Sequence, residues 1–285
     1  MKKAKIIVSI NGKGGVGKST TVKYLIREAL KKAGIKVLAI DFDPKQSSLT
    51  SGFGMEPYSD FTYDGEHNLV KIFQDGELPI PLKTNFHENL YFLPASKGLE
   101  GVANSCSRSK DVRLKLFLKS IENDFDYIFI DTNPGITSLQ NNAILYADTL
   151  VMPSQAEGNA AHGMQSIFNE INSLMSDYDS IKPSEFYIIP SRVKARSTTH
   201  KIIMDNFQSI PLYTKDLNYI KDKHVEVLEP IYEKELIMQA DLADDVFFVQ
   251  DYIELYNSKE RKLYKDKDPQ SILGVLERIG NKILS

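Results

Sequence analysis

The stretch Asn11-Gly12-Lys13-Gly14-Gly15-Val16-Gly17-Lys18-Ser19-Thr20 constrains the fold more than any other part of the chain. Before it, Lys5-Ile6-Ile7-Val8-Ser9-Ile10 is a β-branched, nearly continuous apolar run, which predicts a buried parallel strand. After it, Val22, Leu25, Ile26, Ala29 and Leu30 recur at helical spacing, and Gly34 is placed to end that helix. Gly12-x-x-x-x-Gly17-Lys18-Ser19 therefore lies between a strand and a helix, the setting a phosphate-binding loop requires. Glycines let backbone N–H groups curl round a polyphosphate, and the helix N-terminus adds positive potential. On this pattern Lys18 reaches the β/γ-phosphates and the Ser19 hydroxyl ligates Mg²⁺.

Further apolar runs alternate with helical patterns. Ile35–Ile40 predicts a second strand, ending at Asp41-Phe42-Asp43-Pro44-Lys45-Gln46. Carboxylates at a strand's C-terminal end lie where open α/β sheets place ligands; capping of the next segment is the alternative, and it weighs more for Asp41 than for Asp43. Residues 51–90 read as loops around one short helix near Leu69–Phe73, followed by a strand over Asn89–Ala95. Val112, Leu114, Leu116, Phe117, Leu118 and Ile121 predict an apolar helix; Tyr127–Asp131 predicts a buried strand ending in an acid. Strands over Thr149–Pro153 and Glu185–Ile189 flank a helix whose Met164, Ile167, Phe168, Ile171, Leu174 and Met175 have core spacing. Such βα alternation predicts a doubly wound, mostly parallel α/β sheet with helices on both faces. Ile272, Val275, Leu276, Ile279 and Ile283 mark an amphipathic C-terminal helix of about residues 270–285, expected to dock on a single domain spanning 1–285.

Composition narrows the function classes. A hydrophobic share of 42% supports a large core. No run approaches the ~18 apolar residues of a membrane span, and no cleavable signal is expected before the first strand. One cysteine, Cys106 in the polar stretch 104–110, excludes an intrachain disulfide framework and a Cys-x-x-Cys site, and fits a reducing compartment. His162, His200 and His224 show no metal-ligand spacing. With a net charge of −3, any nucleic-acid contact has to be a local patch. The most basic stretch in the first 220 residues is Arg192-Val193-Lys194-Ala195-Arg196-Ser197-Thr198-Thr199-His200-Lys201, which could equally be a solvated face. Charges of both signs at 257–268 read as a solvated linker or turn.

Lys13 is a second lysine that the ordinary phosphate-loop pattern does not require. Lys-Gly-Gly-Val-Gly-Lys-Ser-Thr resembles the deviant Walker A motif of the ParA/MinD family of P-loop ATPases. The resemblance continues through Asp41-Phe42-Asp43-Pro44-Lys45-Gln46, with Lys45 inserted, and through Asp131-Thr132-Asn133-Pro134-Gly135, where Asn133 and Gly135 depart from the family pattern. Gln155-Ala156-Glu157 completes it. The match is good over roughly residues 4–165 and looser beyond, and is closest to ParA-type, Soj-like DNA partition ATPases.

That resemblance implies a nucleotide cradle of Gly12, Lys13, Gly14, Gly15, Val16, Gly17, Lys18, Ser19 and Thr20. It implies Mg²⁺ held by Ser19 and, through water, by Asp131, with the adenine ring near Pro190-Ser191. Catalysis would rest on Lys18, on Lys13 reaching the partner's nucleotide across a sandwich dimer, and on Asp43 orienting the attacking water. Asp41 would be a hydrogen-bond partner. The expected activity is slow, Mg-dependent ATP hydrolysis that times a homodimer. The ATP-bound dimer would grip nonspecific DNA in plasmid or chromosome segregation, through Arg192, Lys194, Arg196 and Lys201. A ParB-like, centromere-binding partner would stimulate hydrolysis, and the protein would be cytoplasmic and nucleoid-associated. The alternative within the family is a MinD-like membrane-surface ATPase. A metallocluster ATPase or a dethiobiotin-type ligase fits the sequence less well.

Overall fold

The computed structural model describes residues 3–55, 65–73, 78–103, 113–135, 137–194, 197–232 and 272–285. Among the described residues eight strands form one sheet: β1 (Lys5–Ser9), β2 (Val37–Phe42), β3 (Leu82–Lys83), β4 (Leu90–Leu93), β5 (Tyr127–Thr132), β6 (Thr149–Gln155), β7 (Glu185–Ser191) and β8 (His224–Val227). Their order is β3-β4-β2-β5-β1-β6-β7-β8, parallel throughout except for β3 against β4. The central strands are wholly buried, which explains their continuous apolar sequences.

Side chains alternate between two cores. Ile6, Val8, Leu38, Ile40, Ile128 and Ile130 join one core, while Ile7, Val37, Ala39, Tyr127 and Phe129 join the other. The second face is covered by α1 (Lys18–Leu30), through Val22, Leu25, Ile26 and Ala29. On the first face lie α4 (Arg113–Ile121), α5 (Ser138–Tyr146), α6 (Ala160–Asp177) and α7 (Thr198–Gln208), with the short helices α3 (Leu99–Ala103) and α8 (Ile210–Tyr213), whereas the short α2 (Ser48–Gly52) puts Leu49 into the second core beside α1. Leu69–Phe73 is a 3₁₀ helix. In α4 Leu114, Phe117 and Leu118 are buried, but Leu116 faces solvent at 58% exposure, so the apolar run there is wider than the face it buries.

The amphipathic segment near the chain's end forms α9 (Ile272–Ile283). Val275, Leu276, Ile279 and Ile283 are buried, and α9 packs on α1 beside the second core. Its last turn is tied down at its carbonyls: Lys5 Nζ donates to Ile283 O at 2.9 Å and the Tyr127 hydroxyl to Leu284 O at 2.8 Å. Cys106, Arg196 and the charged stretch 257–268 lie outside the described residues.

Parallel register aligns the chemistry. Ser9 pairs with Asp131, and Asp41 with Asp131, so the C-terminal ends of β1, β2 and β5 bring two carboxylates and the start of the glycine-rich loop into one row. The chain continues from β1 toward β2 on one side and reaches β6 on the other. Such a change of direction leaves a crevice at the carboxyl ends of the strands, where open α/β sheets bind ligands.

Candidate active site

The loop between β1 and α1 owes its shape to glycine and to distant tethers. Gly15 and Gly17 have φ of 73° and 98°, left-handed values that a side chain would strain. Asn11 donates to Pro153 O at 2.7 Å and accepts the Lys13 N–H at 2.9 Å. Gln155 Nε2 donates to Gly15 O at 2.7 Å, and the Ser191 hydroxyl to Val16 O at 3.0 Å. A Cβ added at Gly14 would lie 3.4 Å from Pro134 and 3.8 Å from Gln46, so the segments after β1, β2 and β5 meet at the crown of the loop.

Beneath the loop the site is buried and charged. Lys18 is 7% exposed, and among the described residues its Nζ makes only a long, 3.4 Å contact with Lys13 O. Burial lowers its pKa, against the pull of Asp131 and Asp43. Asp131 is fully buried, and among the described residues neither carboxylate oxygen has a hydrogen bond of good geometry. Its pKa is pushed up to about 8 by burial and then by Asp41, while the Ser19 hydroxyl and Lys18 pull it down. A buried carboxylate so weakly supplied with donors is costly in isolation and well suited to a hard cation. Among the described residues no group of three or more His, Cys, Asp or Glu side chains is arranged to hold a metal. The Ser19 hydroxyl beside the Asp131 carboxylate is an oxygen donor pair of the kind Mg²⁺ accepts, an ion that takes few protein ligands and keeps several waters.

Asp41 and Asp43 differ in what they touch. Asp41 accepts the Asp43 N–H at 3.0 Å, the Thr50 N–H at 2.8 Å and the Thr50 hydroxyl at 2.7 Å; burial still raises its pKa to about 6. Both its oxygens are engaged, which makes it an organiser of the β2 end. Asp43 uses Oδ1 to accept the N–H groups of Lys45 and Gln46 at 2.9 and 3.0 Å. Its Oδ2 accepts no hydrogen bond among the described residues, so the capping of the next turn leaves one oxygen for other work. Lys45 points to Glu100 at 3.6 Å and is 65% exposed, while Gln46 remains beside Gly14.

Lys13 lies on the outside of the loop. Its ammonium pairs with Glu157, both side chains more than half exposed. Asn11, Gly12, Lys13, Gln155, Glu157 and Gly163 line a cavity of about 480 Å³ beside the start of α6. In the segment after β5, Gly135 has φ 98°, a value open to glycine, and Asn133 is fastened to α5 because Gln140 Nε2 donates to its carbonyl at 2.7 Å. The two departures from the family motif thus sit in a defined turn.

Of the basic stretch, Arg192, Lys194 and Lys201 are described and all are exposed. Arg192 follows β7 with φ 52°, Lys194 N–H donates to His200 Nδ1 at 2.9 Å, and Lys201 is in the first turns of α7, whose cap is Ser197. The tethering roles of Asn11, Gln155 and Ser191 depend on strands distant in sequence; the motifs that contain these residues give no sign of the loop carbonyls and strands they hold.

A family model described as an AAA domain matches residues 4–184, more than half of the chain, so the chain belongs to that family. The sporulation initiation inhibitor protein Soj of Bacillus subtilis (strain 168) is 36% identical over 170 residues, which span 59% of this chain and 64% of Soj. The chain belongs to the ParA/MinD family of P-loop ATPases. Two solved structures carry the likeness to nearly the full length. An ATP complex of a Cyanothece McdA variant covers 100% of this chain and 97% of its own, with a TM-score of 0.74 at 23% identity. A plasmid partition protein from Borrelia burgdorferi covers 99% and 100%, with a TM-score of 0.62 at 28% identity. The first of these speaks for the fold of this ParA/MinD-family chain, and the chain matches just under two thirds of Soj's length.

Proposed function

We propose that the protein is a ParA-type partition ATPase in which Mg-ATP closes a homodimer, the dimer holds DNA without regard to sequence, and hydrolysis opens it. The observation that carries this reading is the division of labour between two lysines on one loop. Lys18 is buried beside Asp131, where a phosphate would meet it, whereas Lys13 stands on the exposed outer side, where only a group brought from elsewhere would. A long flexible cation there suits a partner's nucleotide. ATP bound by the loop from Gly12 to Thr20 would have Mg²⁺ beside Ser19 and Asp131, supplying charge neutralisation. Asp43, with one oxygen uncommitted, would orient a water and take its proton.

Arg192, Lys194 and Lys201, with Arg196 between them, form the DNA patch in this reading, and a ParB-like protein at a centromere would stimulate hydrolysis in a cytoplasmic, nucleoid-bound dimer. The membrane-surface alternative needs an amphipathic helix with its apolar face available. The apolar face of α9 is packed on the body, and among the described residues no helix is long and apolar enough to cross a membrane. The test is to trap the closed state. Asp43→Ala should bind ATP, form the dimer and accumulate there, with turnover reduced about 100-fold or more. Wild-type turnover in that variant would move the water-orienting role to another group. Co-sedimentation with anionic vesicles in ATP, in place of DNA binding, would favour the membrane reading.

A further inference from the structure

We infer that Gln155 and Ser191 are positioning residues that aim the phosphate loop, each by holding one of its carbonyls from outside. A trans peptide unit is planar, with its C=O and the following N–H pointing in opposite directions. Fixing Gly15 O outward therefore turns the Val16 N–H inward, and fixing Val16 O outward does the same for the Gly17 N–H. The two anchored carbonyls belong to consecutive peptide units, Gly15–Val16 and Val16–Gly17, at the crown of the loop. Left-handed backbone at Gly15 and Gly17 supplies the curvature, and the two pins select one orientation of it.

Both pins come from strands that pair with each other. Gln155 ends β6, Ser191 ends β7, and the two are register partners, so neighbouring positions on the sheet present neighbouring donors. The Ser191 contact is buried, whereas Gln155 reaches across an open part of the surface. Without the pins, peptide units flanked by glycine can rotate at little cost, and binding a polyphosphate would have to order them first. Gln155 and Ser191 therefore act through the loop on phosphate affinity, without touching the reacting atoms. The inference rests on the loop's binding of nucleotide phosphates, as proposed above.

The test measures binding of inorganic pyrophosphate and of Mg-ATP by calorimetry to wild type, Gln155→Met, Ser191→Ala, Ser191→Thr and the double variant Gln155→Met/Ser191→Ala. Methionine keeps the length of glutamine and adds no charge near the anion. Each single loss of a donor should weaken pyrophosphate and ATP alike, by roughly three- to tenfold, the worth of one net hydrogen bond. Ser191→Thr should restore the affinity because it restores the hydroxyl. In the double variant the losses should depart from a simple product, since adjacent peptide units share one loop. The nucleotide-free melting temperature should stay within a few degrees of wild type in the single variants, separating aim from general stability. Unchanged pyrophosphate affinity in both single variants would overturn the inference. So would a loss confined to ATP, which would place the side chains against the base or ribose. A wild-type protein that binds neither ligand would instead overturn the nucleotide reading on which the inference stands.

Discussion

Lys18, Asp131 and Asp41 are all buried, with Asp131 beside both of the others, and their charges explain both the ligand preference of the site and its cost. Lys18→Ala removes the cation aimed into the loop and should abolish measurable Mg-ATP binding by calorimetry; retained affinity would remove the phosphate-loop assignment. Asp131 and Asp41 are acids whose pKa values are raised in the fold, to about 8 and about 6. An acid of that kind holds its proton more tightly folded than unfolded, so stability is greatest below the unfolded pKa of about 4. It declines as pH rises through the folded value. The nucleotide-free protein should therefore lose stability between about pH 4 and pH 8 from these groups. Asp131→Asn should flatten that decline and raise the melting temperature at about pH 8.5 more than at about pH 5, while removing the Mg²⁺ dependence of nucleotide binding. Equal shifts at both pH values would mean that the carboxylate is not held under strain by burial.

Elements differ in how plainly the sequence announces them, and burial explains the difference. β1, β2, β5, β6 and β7 are buried on both faces, so they read as apolar runs of strand length. β8, His224-Val225-Glu226-Val227, is a half-exposed edge whose mixed pattern carries no such signal, and β3 has two residues. α5 buries Leu139, Gln140, Asn142, Ala143, Ile144 and Leu145 and so shows no single apolar stripe. The glycine-rich loop and the strand-end acids are legible because each is local. The pins from Gln155 and Ser191 are not, because they exist only through parallel register. α9 is legible as an amphipathic helix, and the fold makes its seat specific: a Cβ at Gly280 would come within 2.8 Å of Glu28 Cγ on α1. Gly280→Ala should push α9 off α1, whereas Ile279→Ala leaves a cavity and should cost about 2–5 kcal/mol by denaturant unfolding. A loss under about 1 kcal/mol for Ile279→Ala would mean that α9 is not held on the body in solution.

At the scale of the whole molecule, a net charge of −3 leaves DNA binding to a concentrated patch counted twice in a dimer. With about three phosphate contacts per chain, the slope of log affinity against log salt should be near five for the dimer, and Arg196→Ala should flatten it by about one or two. A slope unchanged in that variant would make the patch a solvated face. All of this depends on the chain closing into a dimer through ATP, and Lys13 is where that claim is most exposed. Multi-angle light scattering of wild type and Lys13→Ala, each with Mg-ATP and with Mg-ADP, tests it most directly. The account predicts a wild-type dimer in ATP alone, and a Lys13→Ala protein that binds ADP as wild type does yet stays monomeric in both nucleotides. A Lys13→Ala variant that dimerises in ATP as fully as wild type, or a wild type that is monomeric in ATP throughout the micromolar range, would contradict it.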